Sequence, residues 1–183
     1  MGSNGRIRMI EKEKDIQLLK AIARTGFTTE EFFPLLDMND KRIRQHIQCG
    51  NLIKKGPHLV YGIMRNIYVL SEEAKRRCRS EFLIRTYKSD ISQLEHDYVL
   101  TKIYTSLKFE QKQSWKTETE LANIYKDSAK TTDGMYISAE GLTIGVEVIT
   151  SSYSQKDIDD KLQFVEKYCD TSMVIHAQKL EKY

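Results

Sequence analysis

The chain has 183 residues, of which 40% are hydrophobic and 30% are charged, with only two prolines. This composition is typical of an ordered globular protein, and the length allows one large or two small domains with a real core. The sequence has no apolar run long enough for a transmembrane helix, and we expect neither a membrane partner nor a secretory signal.

The net charge of +3 is unevenly divided along the chain. Residues 1–80 contain 16 Lys and Arg against 9 Asp and Glu, whereas residues 81–183 contain 13 against 17. A basic half is the electrostatic footprint expected of a domain that contacts DNA. Cys49, Cys78 and Cys169 are widely separated, which favours a reducing, cytoplasmic location and argues against a zinc site.

Three short helices are predicted near the amino terminus. Apolar residues recur at helical spacing in residues 15–24, which predicts the first helix. Thr28, followed three residues later by Glu31, resembles a capping box and predicts a second helix that ends near Leu36. Residues 41–49 predict a third helix. Two short helices joined by a brief polar turn form a helix-turn-helix.

The helix predicted for residues 41–49 has one apolar side, formed by Ile43 and Ile47, at about 100° per residue. Cationic and amide side chains lie on its other sides, and such side chains can pair with guanine, adenine or phosphate. After Gly50, a good residue to end a helix, two strands are predicted around a turn at Gly56-Pro57. We expect the DNA contacts to come from this helix and this hairpin, through Lys41, Arg42, Arg44, Gln45, Gln48, Lys54, Lys55 and His58.

The two halves of the chain predict two domains. Ser71 is a good cap for a further helix, so residues 10–80 predict a winged helix-turn-helix domain. Residues 81–90 predict a polar connection, and residues 90–183 predict an α+β domain with a mixed sheet. The predicted elements of that domain are a helix from Asp90, a strand over 113–121, a hairpin of 133–138 and 142–149, a helix over 154–169 and a strand over 173–177.

Two acidic residues of this second domain suggest a chemistry. Asp133 and Glu147 lie on neighbouring predicted strands, where nucleases of the PD-(D/E)xK fold hold a divalent metal that activates water. The lysine of that motif would lie two residues after Glu147, but Ile149 stands there. We therefore expect a degenerate site with no catalysis, no metal and no cofactor. If the site is active, Asp133, Glu147 and Lys161 are the catalytic candidates, and the two acids would hold Mg²⁺. The alternative is that both acids are relics of the fold or pair with Lys or Arg.

The second domain carries a series of short motifs: His96-Asp97, the Trp-x-x-Glu of Trp115 and Glu118, Asp133, Glu147-Val148, Lys161-Leu162 and Tyr168. With these motifs the chain resembles the replication-relaxation family of plasmids and mobile elements over roughly residues 15 to 176. The resemblance rests on the winged-helix pattern and on motifs of the second domain. It implies binding at a replication or transfer origin and a small, restriction-endonuclease-like second domain. The chain differs from the family pattern at Thr132-Asp133, where Pro-Asp is expected.

The sequence thus predicts a sequence-specific, double-stranded DNA-binding protein that acts at such an origin as a non-catalytic accessory or recruiting factor. One alternative is a Mg²⁺-dependent DNA endonuclease or nickase. A second alternative is a winged-helix transcriptional regulator. The expected partners are DNA and a relaxase or replication protein, and the sequence leaves open whether the chain forms a homodimer.

Overall fold

The computed structural model describes residues 9–177. The chain divides into two compact units, Met1–Ser89 and Asp90–Tyr183. Both units contain helices and a sheet, and the sheet of the second unit mixes parallel and antiparallel strands, so the predicted α+β class is confirmed. No helix within residues 9–177 is both long and apolar enough to cross a bilayer.

The described part of the first unit has three α-helices and a two-stranded hairpin. These are α1 Glu13–Thr25, α2 Asp40–Gln48, β1 Leu52–Val60, β2 Ile63–Leu70 and α3 Glu72–Glu81. Asn39 caps α2 by accepting a hydrogen bond from the Arg42 amide at 2.9 Å, and Gly50 beyond its end has φ 76°. Ser71 caps α3 through the Ala74 amide at 3.1 Å. The helices predicted over residues 15–24, over residues 41–49 and after Ser71 are confirmed.

The segment predicted as the second α-helix instead forms two 3₁₀ turns, Glu30–Phe32 and Pro34–Leu36. Thr28 does not cap a helix, because its amide and carbonyl form 2.9 Å hydrogen bonds with the backbone of Tyr68 in an isolated β-bridge. Pro34 has no amide proton to donate, which disfavours an α-helix through this segment. The prediction of an α-helix here is wrong because the β-bridge uses the backbone hydrogen bonds of Thr28 and because the proline lacks an amide donor.

The hairpin turn is also displaced from its predicted place. Val60 pairs with Ile63, so Tyr61 and Gly62 form the two-residue turn. Their φ values of 49° and 69° are those of a type I′ turn, whose twist matches the flanking strands. The register shifts before Pro57, so Gly56-Pro57 marks a bulge inside β1, where a residue without an amide proton is tolerated.

The described part of the second unit is a four-stranded sheet with helices. After a 3₁₀ turn at Ile91–Gln93 come α4 Leu94–Ser106, α5 Phe109–Ser114, β3 Lys116–Thr117, α6 Glu118–Ile124, β4 Gly134–Ile137, β5 Thr143–Ile149, α7 Gln155–Tyr168 and β6 Thr171–His176. The strand order is β3-β4-β5-β6, and only the β5–β6 pair is parallel. The crossover that joins those two strands is α7, as parallel pairing requires.

The long strand predicted over residues 113–121 is wrong, because only Lys116–Thr117 pairs with β4. Thr117 is a helix cap: its Oγ accepts from the Glu120 amide at 3.2 Å, and the Glu120 carboxylate accepts from the Thr117 amide at 2.8 Å. This reciprocal capping box starts α6. The alternation of apolar and polar residues predicted a strand, but the cap at Thr117 starts a helix at Glu118 instead.

Trp115 is the centre of the core of the second unit. Its indole is 1% exposed, stacks on Tyr136 at 6.1 Å between ring centroids, and meets the edge of Tyr104 at 5.4 Å. A Cβ atom at Gly134 would overlap the indole, so the first residue of β4 must lack a side chain. Close packing here places Asp133, the preceding residue, against β5.

Candidate functional site

The outward side of α2 carries exposed polar side chains. Lys41, Arg44 and Gln48 are exposed, whereas Ile43 and His46 are buried on the opposite side. Arg44 donates from Nε to the Asp40 carbonyl of its own helix at 3.3 Å. In the described part of the chain no ion pair holds Lys41 or Arg44, so both charges face solvent.

Arg42, which the sequence assigns to the DNA contacts, is bound within the unit. Its Nε donates to Asp15 Oδ1 at 2.7 Å, and its Nη2 contacts Asp15 Oδ2 and donates to the Ile10 carbonyl at 2.7 Å. Its Nη1 donates to Gln45 Oε1 at 2.9 Å, and Gln45 is half-buried. This two-pronged bond joins α2 to a fully buried carboxylate of α1. Arg42 and Gln45 are therefore engaged in hydrogen bonds inside the unit, whereas Lys41, Arg44 and Gln48 are exposed.

His46 completes this buried network, and the sequence did not single it out. Its Nε2 lies 3.0 Å from Asp15 Oδ1, and its Nδ1 lies 3.2 Å from Asn51 Nδ2. Burial lowers the pKa of His46 despite the adjacent carboxylate. The neutral ring can then donate from Nε2 to Asp15 and accept at Nδ1 from Asn51. Burial would raise the pKa of Asp15, but bonds from Arg42 and the Lys12 amide outweigh it and hold that pKa well below its usual range.

The hairpin carries the second set of predicted DNA contacts. Lys54 and Lys55 of β1 are exposed, and His58 is half-buried. The Lys54 ammonium lies 5.8 Å from the centroid of the Tyr68 ring. Residues 51–70 contain no Asp or Glu. The surface of the hairpin is therefore cationic.

Two acids of the 3₁₀ segment hold the hairpin in place. Glu30 accepts hydrogen bonds from the Tyr68 hydroxyl at 2.7 Å and from Asn66 Nδ2 at 2.6 Å. Glu31 accepts from Arg65 Nε at 2.8 Å, so one cation of β2 is paired inside the unit. The exposed cations of the hairpin are consequently on β1.

In the second unit, Asp133 and Glu147 lie close together as the sequence predicts. Asp133 precedes β4, and its Oδ2 accepts from the Val148 amide of β5 at 2.7 Å. Glu147 lies within β5, and both carboxyl groups are buried. Lys161 donates from Nζ to Asp133 Oδ1 at 2.8 Å and also binds Glu147 Oε1. The two acids therefore share one ammonium group.

Lys161 comes from α7, whose start is fixed by sequence. Ser154 and Asp157 form a reciprocal capping box there. One face of the helix buries Lys161 and Phe164. The Lys161 ammonium also donates to the Tyr153 hydroxyl at 3.0 Å, and its side chain is only 7% exposed. The ammonium group that contacts Asp133 and Glu147 thus comes from the following helix.

His96 is a second buried cation beside Asp133. Its Nε2 lies 3.0 Å from Asp133 Oδ2, and its Nδ1 lies 3.0 Å from Asp97 Oδ1. Burial lowers the pKa of His96, but the two carboxylates outweigh it and raise the pKa to about 10. Burial would raise the pKa of Asp133, yet His96 and Lys161 bring it down to about 2. Asp133 is therefore an ionised carboxylate between two cations.

Glu147 has the opposite electrostatic environment. Burial, followed by the negative charge of Asp133, raises the pKa of Glu147 to about 8, although Lys161 acts against this shift. Its Oε2 is buried without a hydrogen-bond partner within residues 9–177. Burial and Asp133 likewise raise the pKa of Glu118, the first residue of α6.

The arrangement does not fit a Mg²⁺ ion between the two acids. Mg²⁺ requires near-octahedral oxygen ligands at about 2.0–2.1 Å, but the Lys161 ammonium takes the place between Asp133 and Glu147. Across residues 9–177, no group of three or more His, Cys, Asp or Glu side chains could hold a metal ion. The cluster is a salt-bridged network in which Asp133 and Glu147 pair with a lysine.

Comparisons with protein-family models, with curated proteins and with solved structures give no match for this chain.

Arg42→Ala should destabilise the first unit by about 3–5 kcal/mol, because it leaves the buried Asp15 carboxylate without its main partner. Arg44→Ala, an exposed arginine of the same helix, is the matched control and should change stability by less than about 0.5 kcal/mol. Native-state hydrogen exchange of the α1 and α2 amides in the full chain measures both effects. Equal protection in the two variants would contradict a structural role for Arg42.

The second unit should lose stability as the pH rises. His96 keeps its proton in the folded unit to about pH 10, whereas a histidine of the unfolded chain has a pKa of about 6.5. Its stabilising contribution is therefore complete below about pH 6.5 and is lost as the pH rises through about 10. Glu147 acts in the same direction between the ordinary glutamate pKa of about 4.5 and its folded pKa of about 8, because it stays neutral when folded and ionises on unfolding.

Urea unfolding followed by the fluorescence of Trp115, the single tryptophan of the chain, measures this dependence in the second unit. Glu147→Gln should flatten the lower part of the curve, because glutamine does not titrate. A wild-type stability that is constant or rises from about pH 5 to about pH 10 would rule out the proton uptake inferred for His96 and Glu147.

Proposed function

We propose that the chain binds double-stranded DNA through its first unit, as a winged-helix protein does. In this proposal α2 lies in the major groove and the β1–β2 hairpin contacts the adjacent backbone or groove. The observation that carries the proposal is the joint exposure of Lys41, Arg44, Lys54 and Lys55 on α2 and β1, with no acidic residue in the hairpin.

Attraction between exposed cations and the DNA phosphates is the physical basis of the proposed binding. Cations that neutralise phosphates release condensed counterions, which gives most of the sequence-independent affinity for DNA. Lys41, Arg44, Lys54 and Lys55 are the phosphate contacts that we propose, with His58 as a partly exposed neighbour. Arg42 is left out of this set because its guanidinium is bound to Asp15.

Base recognition would come from the amide side chains of α2. Gln48 is exposed near the end of the helix, so both its carbonyl oxygen and its amino group can reach an adenine edge. Gln45 is half-buried, and its Oε1 accepts from Arg42. Gln45 can therefore read a base only in the orientation that Arg42 imposes.

The biological role that we propose is that of an accessory protein at a replication or transfer origin, which recruits a relaxase or replication protein. This setting rests on the resemblance to the replication-relaxation family. A footprint that maps to an origin would support it, whereas a footprint within a promoter would favour a transcriptional regulator.

We propose a non-catalytic role for the second unit. The Lys161 ammonium contacts both Asp133 and Glu147, at the place where a nuclease would hold its metal. A second candidate function is DNA cleavage, and one observation favours it. The Lys161 ammonium lies 2.8 Å from Asp133 Oδ1, so a lysine is close to the acids although position 149 is an isoleucine.

The test of DNA binding is the double variant Lys41→Ala, Arg44→Ala, measured on a mixed-sequence duplex at several salt concentrations. Losing two phosphate contacts should weaken binding by roughly 2–5 kcal/mol and reduce the salt slope by about two. The matched control is Lys126→Ala, Lys156→Ala, which removes two exposed cations of the second unit and should leave binding unchanged. An unchanged affinity and slope in the first variant would refute the assignment of α2.

The test of catalysis uses supercoiled plasmid DNA with Mg²⁺ or Mn²⁺. Wild-type protein should leave the plasmid intact, because the ammonium of Lys161 occupies the place of the metal. Nicking by the wild type that disappears in both Asp133→Ala and Lys161→Met would establish the second candidate function instead. Trp115 fluorescence shows whether each variant is folded, since the indole is buried in the same unit.

A further inference from the structure

We propose that the tip of the β1–β2 hairpin is an apolar wedge that enters the minor groove of duplex DNA and unstacks a base step. The proposal rests on the DNA binding proposed above and adds a mode of contact to it. Three large apolar side chains surround the turn and are mostly exposed: Leu59 at 64%, Ile63 at 57% and Met64 at 61%.

The pairing of the strands places two of these side chains, Leu59 and Met64, next to each other. Leu59 and Met64 are direct cross-strand partners, so both project from the same face of the hairpin. Ile63 pairs with the fully buried Val60, so these two side chains project from the opposite face, beside the Tyr61-Gly62 turn. The tip is therefore anchored through Val60 on one face, while Leu59 and Met64 remain mostly exposed on the other.

The hairpin is tied to the rest of the first unit close to its tip. The guanidinium of Arg65 binds the Val60 carbonyl and also Glu31, so the end of β1 is tied to β2 and to the 3₁₀ segment. The type I′ turn of Tyr61 and Gly62 fixes the twist of the two strands. An anchored hairpin loses little conformational freedom when its tip is buried in a groove.

Charge favours DNA as the occupant of this apolar tip. Residues 51–70 contain no acid, and Lys54 and Lys55 are exposed on the strand that leads to the tip. A second copy of the chain would bring the same positive charge. Pairing of β1 edges between copies is disfavoured as well, because the bulge and Pro57 interrupt the edge and lysines flank it.

The chemistry of the side chains matches a wedge. Proteins that bind the minor groove frequently insert Leu, Ile or Met between base pairs and kink the duplex. Unstacking costs least at pyrimidine–purine steps such as TpA. Burying Leu59 and Met64 against the exposed base faces removes their apolar surface from water, which offsets the loss of stacking.

The experiment measures affinity and unstacking separately on one probe, a duplex of alternating T·A and A·T pairs at low salt. Fluorescence anisotropy gives the Kd, and permanganate oxidation reports thymines that have lost their stacking. Wild-type protein should raise thymine oxidation several-fold. Leu59→Ala, Met64→Ala should return oxidation to that of free DNA, with a Kd within about tenfold of wild type because the lysines remain. Leu35→Ala, which truncates an exposed leucine of the same unit outside the hairpin, is the matched control and should behave as wild type.

The outcomes separate the wedge from DNA binding itself. Binding without increased oxidation in the wild type, or oxidation that persists in the double variant, overturns the wedge and leaves the proposed function in place. No binding of the wild type to duplex DNA overturns both. If the double variant instead abolishes a dimer seen by sedimentation in the absence of DNA, the tip is a self-association surface and the wedge is wrong.

Discussion

The bond from Arg42 to the buried carboxylate of Asp15 is the interaction on which the first unit depends. It joins α2 to α1, and His46 and Asn51 extend it to the segment that leads into β1. A buried charge pair of this kind gives little net stability, but its loss is costly because one charge remains without a partner. Its main effect is therefore to fix the position of α2 against α1. The direction in which the exposed residues of α2 point follows from that position.

The second unit uses the same physical device with the charges arranged differently. Asp133 is ionised because Lys161 and His96 both contact it, whereas Glu147, which shares Lys161, has a raised pKa. Two neighbouring buried carboxyl groups favour different protonation states, because one ammonium cannot fully neutralise both. An ammonium group can thus lie between two buried acids, so a nuclease-like pattern does not by itself imply a metal.

The hairpin links these observations to the proposed function. Its base is fixed by Glu30 and Glu31, which use the polar groups of β2 for structure, while β1 keeps its lysines exposed. Leu59, Ile63 and Met64, near the tip, are left mostly exposed. A cationic stem with an apolar tip suits a groove lined by phosphates and floored by bases.

The sequence by itself determined the caps and periodic patterns: α1, α2, α3, the β4–β5 hairpin and α7 follow from side chains that act on their own backbone within a few residues. Sequence reasoning failed at Thr28, whose backbone pairs with the distant Tyr68, and at Thr117, where a local helix cap outweighed an alternating pattern. Only tertiary structure could show that Arg42 is bound by Asp15, 27 residues away, and that Lys161 reaches Asp133 across 28 residues. Hydrogen bonds within a helix cap join residues a few positions apart, so the sequence can predict them. The partner of a long charged side chain depends instead on how the helices and strands pack.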